Sequence, residues 1–296
     1  MKKIKDYLLL IKPSLSIMVV FSSVMSFMLT PGIKEYTSDS ERWWYVLMLF
    51  AGGMLVTGSA NAINQVTEKG TDAMMKRTAK RPVAAGRMSV TEGWAFALIT
   101  GVAGVFILGH FFNGLTAGLA AFSLFLYAFI YTPLKKINSI AVLIGAVPGA
   151  LPCLIGWAAG NNDLAIGSWI LFAFQFFWQF PHFWAIAWVA HKDYSAAGFK
   201  LLPSEKGPTK FTAMQTVLYS LLMIPVTVAP YYMGMCSFDD VKGIIGLSLV
   251  LLANIFLLYR CISLYKKMDI AAARKVMFGS YIYLPVVMLA WLLSKV

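Results

Sequence analysis

Apolar runs long enough to cross a lipid bilayer dominate this chain of 296 residues. A helix needs about 20 residues to cross a hydrocarbon core of about 30 Å. Nine runs of that kind lie at residues 14–31, 43–66, 92–110, 113–132, 139–159, 164–190, 211–235, 241–262 and 275–294. We therefore predict an all-α polytopic membrane protein, built as a bundle of nine transmembrane helices.

The composition agrees with that prediction. Hydrophobic residues make up 59% of the chain and charged residues only 13%, which is too little polar surface to close a soluble globule. A transmembrane barrel would need segments of about ten residues that alternate apolar and polar side chains, whereas these runs are apolar on every face. Only short polar hinges separate the runs, so residues 1–296 are expected to form a single membrane domain.

The distribution of basic residues predicts the orientation of the bundle. If the amino terminus is cytoplasmic, 21 of the 25 Lys and Arg residues lie on the cytoplasmic side, and Lys34, Arg42, Lys242 and Lys295 lie on the other. The positive-inside rule favours this arrangement, in the inner (cytoplasmic) membrane of a cell. The net charge of +12 does not indicate a nucleic acid partner, because the basic residues form no single face; topology and contact with anionic membrane lipid explain it better.

A crowded polar stretch, "NQVTEKGTDAMMKRTAKRP" at residues 64–82, follows the second run. Asn64, Glu68 and Asp72 are spaced four residues apart, so in a continuous helix they form a column that drifts by about 40° per step. Gly70 is expected to interrupt that helix. Mg²⁺ takes oxygen ligands and is usually held by one or two carboxylates together with substrate phosphates. The column therefore predicts a site for a metal chelated by a diphosphate.

Cations follow the column directly. Arg77 and Arg81 are again four residues apart, with Lys76 and Lys80 beside them. A guanidinium group suits bidentate recognition of phosphate, so an anion site is expected next to the metal site. The alternative is a solvated loop whose charges only set the topology, and it explains the charge count equally well.

Two further polar islands are present. "WQFPHFWAIAW" places His182 among aromatic residues within a span, and "HKDYSAAGFKLLP" follows it with Asp193; "YTPLKK" ends an earlier span with Lys135 and Lys136. With residues 64–82 they give three loops on one side, and we expect them to converge. His182 is either a packed histidine satisfied by a neighbouring helix or a contact for an acceptor substrate.

Together these motifs resemble the intramembrane prenyltransferase superfamily, from about residue 12, at "KPS", to about residue 207. Within the superfamily they most resemble the branch that attaches a farnesyl group to haem. The resemblance implies a nine-helix bundle, Mg²⁺ as cofactor, farnesyl diphosphate as donor and haem B as acceptor. A haem A synthase or a terminal oxidase is then a candidate protein partner.

The resemblance also implies roles for individual residues. The residues expected to act in catalysis are Asn64, Glu68, Asp72, Asp193 and His182, with the metal on Glu68, Asp72 and Asn64. The residues expected to contact the diphosphate are Arg77, Arg81, Lys135, Lys136 and Tyr194. Ionisation of the prenyl C–O bond is the implied reaction, with diphosphate as the leaving group.

The chain departs from the family pattern at three positions. Many relatives carry Asp where this chain has Glu68, a further Asp where it has Gly70, and a second Asp in the later motif where it has Ala197. A second metal ion is therefore in doubt. Two alternatives stay open: a prenyltransferase of the same kind that acts on a quinone-type aromatic acceptor, and a secondary transporter. Transporters carry their charges near the bilayer midplane, whereas here the charges cluster at span ends.

Overall fold

The computed structural model describes residues 2–35, 38–204 and 206–296, and its named elements are all helices. The long helices are α2 (Pro13–Leu29), α3 (Asp39–Thr67), α5 (Val90–Phe111), α6 (Gly114–Phe125), α8 (Ala141–Asn161), α9 (Ile166–Val189), α11 (Lys210–Tyr232), α12 (Val241–Lys267) and α13 (Ile270–Leu293). The short ones are α1 (Lys2–Ile11), α4 (Lys69–Met74), α7 (Thr132–Leu134), α10 (His191–Ala196) and a 3₁₀ turn at Pro31–Glu35.

Seven of the described helical segments are long and apolar enough to cross a membrane, and a bent pair, Lys3–Ile11 with Pro13–Leu29, raises the number to eight. The structure therefore confirms an all-helical chain with many candidate spans. Helix α9 has 24 residues but is not among the seven, because Gln175, Gln179 and His182 lower its mean hydropathy. The count of nine spans and the orientation stay predictions.

The first predicted span differs most from the structure. The prediction begins at residue 14, but the chain is already helical in α1, which meets α2 at an angle of 45°. Lys12 separates the two helices in the left-handed conformation, with φ 49° and ψ 69°. Pro13 follows at the first position of α2, where a residue without an N–H group costs nothing. The proline restarts the helix in a new direction and leaves Lys12 at the bend.

Helix α8 lies at the centre of the bundle, where it packs against α2, α6 and α9. Small residues allow this close approach: a side chain at Gly156 would collide with the backbone carbonyl of Ser23 on α2. Pro152 has no N–H group for the Pro148 carbonyl, and the hydroxyl of Ser123 on α6 donates to that carbonyl instead, at 3.3 Å. A neighbouring helix thus satisfies the carbonyl that Pro152 leaves open, as burial in lipid requires.

The fourth predicted span is not one regular helix. After α6, a π-helical turn spans Leu126–Tyr131 and leads into α7. A π turn contains one residue more than the equivalent α-helical turn and is often found at functional sites. Here it ends four residues before Lys135, one of the predicted site residues.

Candidate active site

The acidic column forms at a break between two helices. Helix α3 ends at Thr67, Glu68 caps it, and α4 starts at Lys69. The predicted break at Gly70 is wrong by two residues, since Gly70 lies inside α4. Two backbone hydrogen bonds nevertheless keep the four-residue spacing, from Glu68 to the Asn64 carbonyl at 3.0 Å and from Asp72 to the Glu68 carbonyl at 2.7 Å. The side chains of all three residues are buried.

Each carboxylate of the column is paired with a cation. Both oxygens of Asp72 accept hydrogen bonds from Arg81 at 2.8 Å, and Glu68 Oε1 lies 2.6 Å from Lys135 Nζ. Burial lowers the pKa of Lys135 from its ordinary value, and the Glu68 carboxylate opposes that change. Because a buried charge without a partner is very costly, the four groups stabilise one another in the charged state.

Asn64 connects the column to a residue that the sequence did not identify. Its Nδ2 donates to Glu68 Oε2 at 2.7 Å, and its Oδ1 accepts from Lys12 Nζ at 3.3 Å. An ammonium group can only donate and a carboxylate can only accept, so these two neighbours fix the orientation of the amide. Lys12 is thus a further cation of the site. The sequence signal was its place before Pro13, at the start of the region that carries the family resemblance.

The three predicted loops converge at this site. The backbone N–H of Lys200 donates to the Lys135 carbonyl at 2.9 Å, and Arg77 donates to the Tyr194 hydroxyl at 3.2 Å. Burial raises the pKa of Tyr194, so the hydroxyl stays protonated and its own hydrogen is available to a ligand. The buried residues Met75, Ala197 and Phe199 form a small apolar cluster between the loops. The predicted convergence is therefore confirmed.

Two of the predicted residues take no part in this network. The Lys136 side chain is exposed, and within the described chain it makes no ion pair. Successive helical residues point about 100° apart, so Lys136 faces outward when Lys135 faces the carboxylates. Asp193 is partly buried beside Tyr194, and its carboxylate has no hydrogen-bond partner in the described part of the chain. Their assigned roles stay predictions.

The donor set fits Mg²⁺ that arrives with a diphosphate. Two buried carboxylates, Glu68 and Asp72, lie at the site with the Asn64 amide beside Glu68, and Mg²⁺ that arrives with a diphosphate is usually held by one or two carboxylates. In the described ranges no three His, Cys, Asp or Glu side chains come together as a complete metal site. The site brings four basic side chains, Lys12, Arg77, Arg81 and Lys135, against the two carboxylates Glu68 and Asp72. The surplus suits an anionic ligand.

A cavity of about 580 Å³ lies inside the bundle beside this site. That volume lies within the usual range for pockets that hold a small organic ligand. Asn61, Tyr127 and Tyr131 line the end near the carboxylates, and Lys135 Nζ lies 4.9 Å from the centre of the Tyr131 ring. Most of the wall comes from apolar side chains of α2, α3, α8, α9 and α13.

His182 lines another part of the same cavity. Its Nδ1 lies 2.8 Å from Ser280 Oγ, and that hydroxyl donates its only hydrogen to the Met277 carbonyl at 2.7 Å. When this hydroxyl donates to the Met277 carbonyl it accepts from Nδ1, and in that tautomer Nε2 has the free lone pair. Nε2 has no hydrogen-bond partner within the described chain. The ring stacks on Trp178, with centroids 4.6 Å apart. One ring nitrogen of His182 is therefore hydrogen-bonded within the protein, and the other is available to a ligand in the cavity.

Comparison with known proteins identifies related sequences. The UbiA prenyltransferase family matches residues 19–282. A protoheme IX farnesyltransferase of Flavobacterium psychrophilum is 41% identical over 98% of this chain and 94% of its own length. A protoheme IX farnesyltransferase of Cytophaga hutchinsonii is 39% identical over 98% of this chain and 97% of its own.

Solved structures share the fold. A digeranylgeranylglyceryl phosphate synthase superposes with a TM-score of 0.78 and 20% identity, over 99% of each chain. A UbiA homolog from Archaeoglobus fulgidus, bound to GPP and Mg²⁺, superposes with a TM-score of 0.72 and 14% identity, over 96% of this chain and 99% of that one. At these identities the likeness concerns the fold alone.

Proposed function

The chain belongs to the UbiA prenyltransferase family, and from this membership and the site geometry we propose that it is a protohaem IX farnesyltransferase. It transfers the farnesyl group of farnesyl diphosphate to a vinyl group of haem B and forms haem O. The observation that carries the choice of acceptor is the open Nε2 of His182 in the cavity whose wall also contains Tyr131, the ring next to Lys135. We place the protein in the inner membrane, with nine spans in one domain and a cytoplasmic amino terminus.

The charged end of the cavity binds the diphosphate. Mg²⁺ held by Glu68, Asp72 and the Asn64 oxygen would neutralise part of the diphosphate charge and make it a better leaving group. Arg81 and Lys135 then exchange their carboxylate partners for phosphate oxygens. Lys12 and Arg77, which make no ion pair within the described chain, contribute two further positive charges. Asp193 and Lys136 are assigned to the rim of this end.

The metal ion and the cationic side chains arranged in this way favour ionisation of farnesyl diphosphate. The C–O bond breaks, its electron pair stays on the diphosphate oxygen, and an allylic cation forms in the cavity. The faces of Tyr127 and Tyr131 line that part of the cavity, and aromatic faces attract cations. The apolar walls exclude bulk water and so protect the cation from hydrolysis before it meets the acceptor.

The acceptor supplies the electrons of the new bond. The vinyl double bond of haem B attacks C1 of the farnesyl cation, and a positive charge is left on the carbon next to the pyrrole. Water adds to that carbon and loses a proton, which gives the hydroxyethylfarnesyl side chain. His182 lies on this side of the cavity, and its free Nε2 can serve as an axial ligand to the haem iron. A haem A synthase or a terminal oxidase is the candidate recipient of the product.

The mass of the haem product tests this function. Purified protein in lipid nanodiscs, given farnesyl diphosphate, haem B and Mg²⁺, should convert haem B to a species heavier by one farnesyl group and one hydroxyl. A chelator should stop the conversion, and fresh Mg²⁺ should restore it. Prenylation of a quinone-type aromatic acceptor, with haem B unchanged, would instead assign the chain to the other branch of the family.

A further inference from the structure

Arg260 is a cation inside a membrane-spanning helix and away from the cavity. It lies in α12, seven residues before the helix ends at Lys267. Its guanidinium carbon lies 5.0 Å from the centre of the Phe256 ring and 5.9 Å from that of Tyr259. Its Nε is buried and has no hydrogen-bond partner in the described chain. Ionisable groups at such positions are costly, and by default they indicate a functional site.

A glycine makes room for this side chain. A Cβ atom at Gly279 on α13 would lie 3.6 Å from Arg260 Cγ and 3.2 Å from Phe256 Cε1. The stem of Arg260 therefore lies in the groove between α12 and α13. Lys267 is two helical turns further along the same face of α12, and Lys275 is one turn from Gly279 on the same face of α13. Three cations border one groove.

Among the described residues, no carboxylate pairs with these cations. The sequence from Val241 to Val296 contains one acidic residue, Asp269, and its carboxylate caps α13 by accepting from the Ala272 N–H at 2.6 Å. Of the described helices, α11 is the other long one that packs closely against α12, and its sequence contains no Asp or Glu. Within this part of the structure, the positive charge of the groove is not balanced.

We propose that this groove binds the phosphate of an anionic phospholipid. A guanidinium group recognises phosphate oxygens in a bidentate manner, and basic pockets between membrane helices bind acidic lipid head groups. The surrounding surface also suits a lipid. Ile255, Tyr259 and Phe278 are 64%, 64% and 59% exposed and can contact acyl chains beside the head group. A free phosphate ion would gain nothing from these apolar neighbours.

Native mass spectrometry of delipidated protein tests the proposal. Phosphatidylglycerol should remain bound to the wild-type protein, and phosphatidylcholine should not. Arg260→Met and Lys275→Met should each weaken phosphatidylglycerol binding about fivefold, because a cation near an anionic membrane surface contributes about 1 kcal/mol. Lys266→Met is the matched control: it removes the same charge from the same helix end but from another face, and it should bind like wild type.

Several outcomes would overturn the proposal. Phosphatidylcholine could bind as tightly as phosphatidylglycerol, or Lys266→Met could lose as much lipid as Arg260→Met, and either result would remove the specific site. Inorganic phosphate that raises the melting temperature of the delipidated protein as much as phosphatidylglycerol does would assign the groove to a free anion. Should Arg260→Met fail to fold, Arg260→Lys and Lys275→Met keep the test open. Lipid binding equal to wild type in both would contradict the proposal.

Discussion

The two ends of the cavity stabilise polar groups in opposite ways. At the carboxylate end, charged groups are buried in pairs, Asp72 with Arg81 and Glu68 with Lys135. At the histidine end, His182 is uncharged. Its Nδ1 bonds to the Ser280 hydroxyl, its ring stacks on Trp178, and its Nε2 is left without a partner in the described chain. The first arrangement is strong but exchangeable, since an incoming anion can replace either carboxylate as the partner of a cation. The second is weak and fixed, and it presents one free nitrogen.

This difference indicates which substrate each end of the cavity suits. A diphosphate carries several charges, and only an end that already contains cations can remove it from water at low cost. A porphyrin is flat and largely apolar, and an aromatic wall with a single ligand atom suits it better. Variants that act on one end should therefore leave the other end intact.

The largest effect is expected for the carboxylates. Glu68→Gln and Asp72→Asn should each lower kcat for haem prenylation by about 10²–10³-fold, as expected when a group that stabilises transition-state charge is lost. Haem binding, followed by its absorption spectrum, should be unchanged. Asp6→Asn is the control, because it removes a carboxylate that pairs with Arg87 outside the site. Normal turnover in both carboxylate variants would mean that the charges of residues 64–82 only set the membrane topology.

Lys135→Met should show that the lysine and the metal ion compete for the Glu68 carboxylate. Loss of the ammonium group frees Glu68, so binding of Mn²⁺ without diphosphate, measured by electron paramagnetic resonance, should tighten about tenfold, or by about 1.4 kcal/mol. Turnover should still fall, because one cation for the diphosphate is missing. Lys136→Met changes the exposed neighbour at the rim; it should leave Mn²⁺ binding unchanged and lower turnover much less than Lys135→Met does. Metal binding that weakens in Lys135→Met would contradict the exchange of partners.

A crossed pair of variants separates donor from acceptor. His182→Ala should weaken haem binding about tenfold and leave the affinity for a non-hydrolysable farnesyl diphosphate analogue unchanged. Arg77→Ala should do the reverse, because it removes a proposed diphosphate contact and the hydrogen bond to Tyr194. Both affinities can be measured by titration in nanodiscs. Loss of the diphosphate analogue in His182→Ala, with haem binding retained, would return the histidine to a packing role.

The smallest effect is expected for Ser280→Ala. The hydroxyl accepts from Nδ1 in the tautomer with a free Nε2, but Ser280 is not among the residues that line the cavity. Haem binding should weaken by only a few-fold, since one hydrogen bond contributes about 0.5–1.5 kcal/mol. The haem spectrum should shift with it. Ser220→Ala, which removes another buried hydroxyl bonded within its own helix, is the control and should leave the spectrum unchanged.

Sequence reasoning predicted the carboxylate end far better than the histidine end. Asn64, Glu68 and Asp72 follow a helical spacing, and local backbone hydrogen bonds keep that spacing even though the helix breaks at Glu68. The contact of Lys12 with Asn64 joins residues 52 positions apart, so no local pattern could reveal it. The same holds for Ser280, which lies 98 positions after His182. Pairings of this kind depend on how the helices pack.

The π turn at Leu126–Tyr131 gives this part of the chain one residue more than a regular helix would need. Removal of one residue would convert the turn to an α-helix and leave Lys135 directed at Glu68 in nearly its present orientation. Removal of a second residue would shorten a regular helix and rotate everything after it by about 100°. Lys135 would then point away from Glu68, and the exposed Lys136 could not replace it without moving the backbone bond to Lys200. The turn therefore holds one residue that the site can lose, and the next loss disconnects an intact set of side chains.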